Sequence, residues 1–343
     1  MHIEAIIVAD DLTGALDTST PFALAGRTVA CATRPEALPA ALASGAEIVV
    51  VSTASRALGA DEAARRVTAL GEAALAVAPP ILFKKIDSRL KGNVGAETAA
   101  LAEALGFDRI LVAPAIPDQG RFTVDGQVIG RGVEAPLPIA PLFGGWGLEV
   151  TVADASSDTD LDRIARDTDW VTTLAVGARG LGAALARLRR GVSPAGFVPE
   201  ADTLFAVGSR DAITDGQVAA LVGIAIHDAP LGEVSAPPTD LPAIIRSTGP
   251  FQGPNESISN RFAAGVAQAV GALRPHTLLM SGGDTALAIL DQLGVGLVFP
   301  QGEAGAGLPW FLIPRENQRS IRAVVKSGGF GDSNALAALL PGA

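Results

Sequence analysis

The chain has 343 residues, 36 acidic against 26 basic side chains for a net charge of −10, and 48% apolar but only 4% aromatic residues. That balance describes an Ala/Val/Leu-packed globular chain long enough for about two cores, not a disordered one, and it offers neither the basic stripe nor the stacking rings of a nucleic-acid binder. Cys31 has no second cysteine to pair with, no apolar run approaches the ~20 residues of a bilayer span, and no charged-then-apolar leader precedes Ile3, so a cytoplasmic protein without a membrane segment is expected.

Short β-branched runs alternate with Ala-rich stretches from end to end, the pattern of parallel sheets covered by helices. Strands are predicted at Ile3–Ala9, Ile48–Ser52, Ile81–Ile86, Ile110–Ala113, Trp170–Val176, Leu204–Val207, Thr277–Met280 and Ile321–Val325. Helices are predicted at Leu16–Ala25, Ala60–Ala76, Val94–Leu105, Leu161–Thr168, Leu181–Arg190, Gln217–Ile224, Ile258–Leu273, Thr285–Leu293 and Ser333–Leu340. Arg131–Trp146 and Pro237–Gly253 read as irregular excursions, and Gly191–Asp202, with its Ser-Pro and Val-Pro steps, as a linker. The expected fold class is α/β with two domains, 1–200 and 201–343, each a mainly parallel sheet flanked by helices, with a cleft between them.

The candidate chemistry follows the strand ends. IIVADDLTGALD (6–17) closes the first strand with Asp10 and Asp11, and Asp11 or Thr13 is placed to cap the next helix. Side chains alternate along a strand, so one carboxylate need face a crevice, close to a substrate hydroxyl, while the other serves the helix start. Arg56, just beyond the next predicted strand, is placed to clamp a carboxylate bidentately. KKIDSRLKGN (84–93) holds three of the four lysines of the chain, the fourth being Lys326; the other 22 cations are arginines. Lysine is a point-charge phosphate binder and arginine a rigid fork, so lysine looks reserved for these loops. Lys84 and Lys85 fall on opposite faces of their strand, which puts one at the surface. Lys85, Asp87, Ser88, Arg89 and Lys91 then form a cationic pocket with one acidic member, suited to an anionic, hydroxylated small molecule.

APAIPDQGRFTVDGQ (113–127) reads as turn chemistry, with no role assigned. In AVGSRDAITDGQ (206–217), Thr214 and Gln217 read as a capping box, and Ser209 with the amides around Gly208 as ligand contacts. LLMSGGDTALAIL (278–290) and VVKSGGFGDSNALAALL (324–340) repeat one unit: an apolar run, Ser-Gly-Gly, then an Asp and a hydroxyl residue opening a helix. Paired glycines leave amides unobstructed and the helix start adds partial positive charge, so both loops read as ligand loops. Walker, dinucleotide-binding and zinc-hydrolase motifs are absent.

These loops, in this order, together with VADASSDTDL (152–161), resemble the four-carbon acid sugar kinase family. No one stretch is diagnostic; seven in order run through nearly the whole chain. The resemblance implies an N-terminal domain for a tetronate-like acid, a C-terminal domain for ATP, and phosphorylation of a substrate hydroxyl between them. By motif, the substrate side comprises Asp10, Asp11, Arg56, Lys85, Asp87, Ser88 and Arg89, with Asp11 orienting or deprotonating the hydroxyl. The ATP side comprises Ser209, Gly282, Gly283, Asp284, Thr285, Lys326 and Gly328, with Lys326 on the phosphates and Mg²⁺ held by ATP and Asp284. The chain departs from the family at Arg89 and Lys91, where Thr and Arg are usual, at Asp211, where a hydroxyl is usual, and in shorter segments around 131–150 and 228–255. Expected partners are a small sugar acid and ATP, with a homo-oligomer left open. A lysine Schiff-base lyase using Lys85 and an acid-binding regulatory protein without catalysis stand as alternatives.

Overall fold

A computed structural model describes residues 2–189, 191–250, 256–315 and 318–341. It divides into two units, Met1–Pro194 and Ala195–Ala343. In the first, the strands are β1 Ala5–Ala9, β2 Val29–Ala32, β3 Ile48–Ser52, β4 Ile81–Lys85, β5 Arg109–Ala113, β6 Arg121–Val124, β7 Gln127–Gly130, β8 Leu137–Pro138, β9 Glu149–Val152 and β10 Leu174–Gly177. The helices are α1 Leu12–Leu24, α2 Leu38–Ala43, α3 Ala60–Val77, α4 Val94–Leu105, α5 Asp158–Asp167 and α6 Arg179–Arg187. The main sheet runs β2-β3-β1-β4-β10-β5-β9, parallel throughout. Every residue of β1, β3 and β4 is buried, because helices shield a parallel sheet on both faces and its strands become continuous apolar runs. Gly71 lets α3 approach α4, since a Cβ there would stand 2.7 Å from Ala104 Cβ. β6, β7 and β8 form a small antiparallel sheet of their own.

The second unit comprises β11 Thr203–Val207, α7 Ala212–Ala219, β12 Ala225–Pro230, β13 Ala243–Thr248, α8 Glu256–Leu273, β14 Thr277–Ser281, α9 Gly283–Gln292, β15 Leu297–Gly305, β16 Leu308–Ile313 and β17 Ile321–Lys326. Its sheet runs β12-β13-β11-β14-β17-β16-β15; the first five strands are parallel, and β16 and β15 extend it antiparallel. Its core gathers Phe205, Ile244, Leu279, Trp310, Val324 and Leu336.

Several expectations shift. β13 lies inside the stretch read as irregular at 237–253, of which residues 251–253 fall outside the described residues. The predicted helix at Leu181–Arg190 is α6, and Arg190 also lies outside them. The helix expected at Gln217–Ile224 starts at Ala212, because the Asp211 carboxylate accepts the Ile213 amide at 2.9 Å, so the cap is Asp211 and not a Thr214/Gln217 box. The helix expected at Ser333–Leu340 is only a 3-10 turn, Ala337–Leu339. Gln217 Nε2 donates to the carbonyls of Phe330 and Asp332, at 3.0 and 2.6 Å, which ties this segment to α7; the Asp332 carboxylate takes the Asn334 amide as a cap would, but only the single 3-10 turn follows. No helix among the described residues is long and apolar enough to cross a membrane.

Candidate active site

In the first unit, β1, β3, β4 and β5 bring polar residues to their carboxyl ends, where open α/β sheets bind ligands. The loop after β3 is zipped to the end of β1 by Thr53 N donating to Ala9 O (2.8 Å) and Ser55 N to Asp10 O (2.9 Å). This delivers Arg56 to the aspartates. Its Nε and Nη2 donate to the two oxygens of Asp10, each at 2.7 Å, and Nη1 donates to Asp11 Oδ2 at 2.6 Å. Arg56 Nη1 is also 3.9 Å from Asp87 Oδ2. The side edge of the Arg56 fork is therefore closed on Asp10 and not open for a ligand carboxylate.

The two carboxylates differ in their surroundings. Asp10 is 4% exposed. Burial alone would raise its pKa, but the Arg56 fork with the charges of Lys84 and Lys85 brings it below the usual carboxylate range. Asp11 is 25% exposed and caps α1, Oδ1 accepting the Gly14 amide at 2.7 Å. Its pKa is raised, chiefly by burial and further by the charge of Asp10, against the pull of Arg56 and Lys85. Lys85 is 5% exposed, and among the described residues its ammonium carries no hydrogen bond or ion pair. It reaches over the first turn of α1, since a Cβ on Gly14 would stand 2.8 Å from Lys85 Nζ and 2.5 Å from Asp11 Oδ1. Gly14 is the bare spot that admits both groups.

Lys84 corrects the expectation that one lysine of the pair is a surface charge. Both faces of β4 are covered, so alternation moves Lys84 from one buried side to another, where Nζ pairs with Glu97 Oε2 of α4 at 2.7 Å, both side chains 1% exposed. Glu97 Oε1 accepts Ser55 Oγ at 2.6 Å, and Ser55 Oγ lies 2.6 Å from Thr53 Oγ1. This network holds the Arg56 loop from beneath. Glu97, one of two glutamates on an Ala-rich helix that follows the lysine-bearing strand, was its only trace in the sequence.

Asp87 Oδ1 accepts the Arg89 amide (2.9 Å) and shapes the turn to Lys91; Arg89 and Lys91 are exposed. Ser88 is buried and meets Arg121, from the stretch read as turn chemistry. A cavity of about 430 Å³, lined by residues including Pro21, Leu24, Asp118, Arg179 and Arg187, is touched by none of the aspartate, lysine or Arg56 groups above. Cys31 is buried, which pushes its thiol up to about 12 and leaves it inert.

In the second unit the loops after β11, β14 and β17 interlock through backbone. Gly208 N and Ser209 N donate to Ser281 O (3.1 and 3.0 Å), and Gly282 N to Lys326 O (2.8 Å). Gly208 packs so closely on Thr285 that a Cβ would collide with its side chain, and one on Gly328 would stand 2.5 Å from Ser209 Oγ. Gly282, at φ +107°, caps α9 with no side-chain bond, so the amides of Gly283, Asp284 and Thr285 are left for a ligand. Asp284 is exposed in that first turn. Lys326 is fully buried, and its ammonium donates to Thr214 Oγ1 (2.9 Å), Ser327 O (3.1 Å) and Gly328 O (2.7 Å). Burial lowers its pKa to about 8. All three of its N–H groups thus bind the protein, so Lys326 pins the glycine loop and presents no free ammonium.

Residues 5–138 match a sugar-binding N-terminal domain family and residues 228–336 a nucleotide-binding C-terminal domain family. The chain is 30% identical to the D-threonate kinase of Cupriavidus necator over 96% of each chain. It is 27% identical to the 3-oxo-tetronate kinase of Methylobacterium radiotolerans over 95% of this chain and 96% of that one. A solved Haemophilus influenzae structure shares the fold, with a TM-score of 0.72 at 19% identity over 97% of this chain and 98% of that one.

Proposed function

The chain belongs to the four-carbon acid sugar kinase family, and from that premise we propose that it moves the terminal phosphoryl group of ATP to a hydroxyl of a four-carbon sugar acid, with Asp11 as the base. It is an enzyme of the kinase class, and it uses a nucleotide. The observation that carries the residue assignment is the contrast between the two aspartates: Asp10 is closed inside the Arg56 fork, whereas Asp11 is partly open, raised in pKa and near Lys85, whose ammonium makes no hydrogen bond or ion pair among the described residues.

In the proposed reaction the substrate hydroxyl lies against Asp11 with Lys85 beside it. The hydroxyl oxygen attacks the terminal phosphorus, its proton passes to Asp11, and the bond to the bridging oxygen breaks to leave ADP. Phosphoryl transfer asks for position and charge neutralisation, not covalent help from the protein. The amides of Ser209, Gly283, Asp284, Thr285 and Gly328 supply donors for the phosphates, and Lys326 holds the last of these loops in shape. Mg²⁺ would neutralise phosphate charge, and its other ligands would come mostly from phosphate and water. Among the described residues no group of three or more His, Cys, Asp or Glu side chains is placed to hold a metal ion. That suits such an ion, and Asp284 would hold it. The test is an ADP-release assay with D-threonate, D-erythronate and 3-oxo-tetronates: turnover with at least one, strongly reduced in Asp11→Asn, supports the proposal, and no turnover with any of them ends it.

A further inference from the structure

Arg56 has its fork closed on Asp10, so the group that reads the substrate's carboxylate must be sought elsewhere. Resting on the sugar-acid reading above, we infer that Arg121, oriented by Ser88, binds the carboxylate of the acid and so selects acids over uncharged polyols. Arg121 opens β6, and its backbone is fixed by a two-way bridge with Ile116: Ile116 N donates to Arg121 O (2.9 Å) and Arg121 N to Ile116 O (3.2 Å). From this anchor the side chain crosses to the loop after β4. Nη1 donates to Ser88 Oγ, Nη2 donates to Gln119 Oε1 at 2.8 Å, and Nε is buried with no partner.

Among the described residues no carboxylate pairs with Arg121. Arg56, Arg179, Arg187 and Arg246, by contrast, each hold an aspartate. The charges around Arg121 are Arg89 and Arg131, which disfavour its protonation as burial does, and Asp87 and Asp17, which offset them. A half-buried guanidinium with a buried, unpaired Nε–H, beside Arg89 and Arg131 and offset only by Asp87 and Asp17, is short of acceptors, and a planar carboxylate is the anion that suits the second N–H groups of Nη1 and Nη2. The distance to the chemistry is bridged by one loop: Ser88 follows Asp87, whose Oδ2 is 3.9 Å from the same Arg56 nitrogen that holds Asp11. A short acid can therefore set its carboxylate at Arg121 and a hydroxyl at Asp11.

The experiment compares wild type with Arg121→Met, Arg121→Lys and Ser88→Ala, using D-threonate and its uncharged counterpart threitol as probes. Binding is read by calorimetry without nucleotide, turnover by ADP release, and folding by thermal melts. Arg121→Met is expected to weaken D-threonate binding and raise its KM by about 10- to 100-fold, the worth of a charge-assisted pair. Threitol and ATP constants should stay in place, so preference for the acid collapses. Arg121→Lys should recover part of it, and Ser88→Ala should lose several-fold. If wild type binds D-threonate and a folded Arg121→Met binds it equally, the inference is overturned while the kinase reading stands. If acid binding depends on Arg121 but no ADP forms, the kinase reading falls and Arg121 keeps its role. If wild type binds no four-carbon acid, both fall.

Discussion

At the ends of β1, β3 and β4 the proposed ligand site is made of charged side chains: Asp10, Asp11, Arg56, Lys85 and Asp87 lie within one network, braced from below by the Lys84–Glu97 pair. At the ends of β11, β14 and β17 it is made of bare backbone, with Gly208, Gly282 and Gly328 packed against Ser209 and Thr285, and its one lysine turned inward. The two constructions suit what each must do. A hydroxyl to be deprotonated needs a base whose proton affinity is set by neighbours, whereas phosphates need many modest donors close by. They should also fail differently. The charged site should lose rate when a charge is removed without a change of shape; the backbone site should lose binding when a single methyl is added.

The largest effect is expected at Asp11. Asparagine retains the helix cap and the shape, so Asp11→Asn should melt near wild type yet lower kcat by about 10²–10⁴, the usual worth of one acid/base group. Asp10→Asn should cost less in rate and more in melting temperature, because Asp10 is the buried side of the Arg56 fork. A reversal of those two outcomes would exchange the roles of the aspartates. Next comes the brace. Glu97→Ala leaves buried Lys84 without its ion-pair partner and should lower the unfolding free energy by about 3–5 kcal/mol, measured by urea titration. The paired replacement Lys84→Met with Glu97→Leu should regain most of it, which a merely disruptive site would not allow.

In the backbone site the matching test is Gly328→Ala. The added methyl would stand 2.5 Å from Ser209 Oγ and 3.1 Å from Asp211 Cβ, so Ser209 or the loop must give way. About 1–3 kcal/mol of overpacking is expected, with nucleotide affinity falling at least tenfold and D-threonate binding untouched. Unchanged nucleotide affinity would place the phosphates elsewhere.

The same contrast governs what could be read in the sequence. β1, β3 and β4 were legible almost residue by residue because they are unbroken apolar runs between turns. β2, with the sequence VACA, has too few β-branched residues to signal a strand, and β15 and β16 carry Pro300 and Pro309, which read as breaks. Among the site residues, Asp10, Asp11 and Arg56 were visible as side chains at strand ends, but their pairing was not, since it depends on how the loop after β3 is tied to β1. Lys84 misled because alternation separates the two faces of a strand without saying that both are covered. Arg121 escaped because its neighbours Pro117, Gly120 and Gly126 explain a turn so fully that the arginine seemed to need no further account.

The smallest effect concerns Lys326, and pH is the tool for it. Burial lowers its pKa from an ordinary 10.5 to about 8. Below pH 8 folded and unfolded chains both carry the proton, so the lysine adds no slope. Between pH 8 and 10.5 the unfolded chain binds a proton that the folded chain does not, so this group makes stability rise with pH. Cys31 acts oppositely: with its thiol moved from 9.0 to about 12, the folded chain keeps the proton longer and stability falls above pH 9. Subtracting the Lys326→Met profile from that of wild type removes the cysteine term and should leave the rising one. Nucleotide affinity should move the other way, because the neutral amine gives up one of three donors and the charge behind the rest, and the carbonyls of Ser327 and Gly328 are held less firmly. With charged hydrogen bonds worth about 1 kcal/mol more than neutral ones, the expected loss between pH 7 and 9.5 is about fivefold, absent in Lys326→Met. A fall in affinity of that size together with a rise in stability is the signature of a pin that loosens one loop; a steep loss with stability unchanged would instead mean that the ammonium touches the phosphates directly.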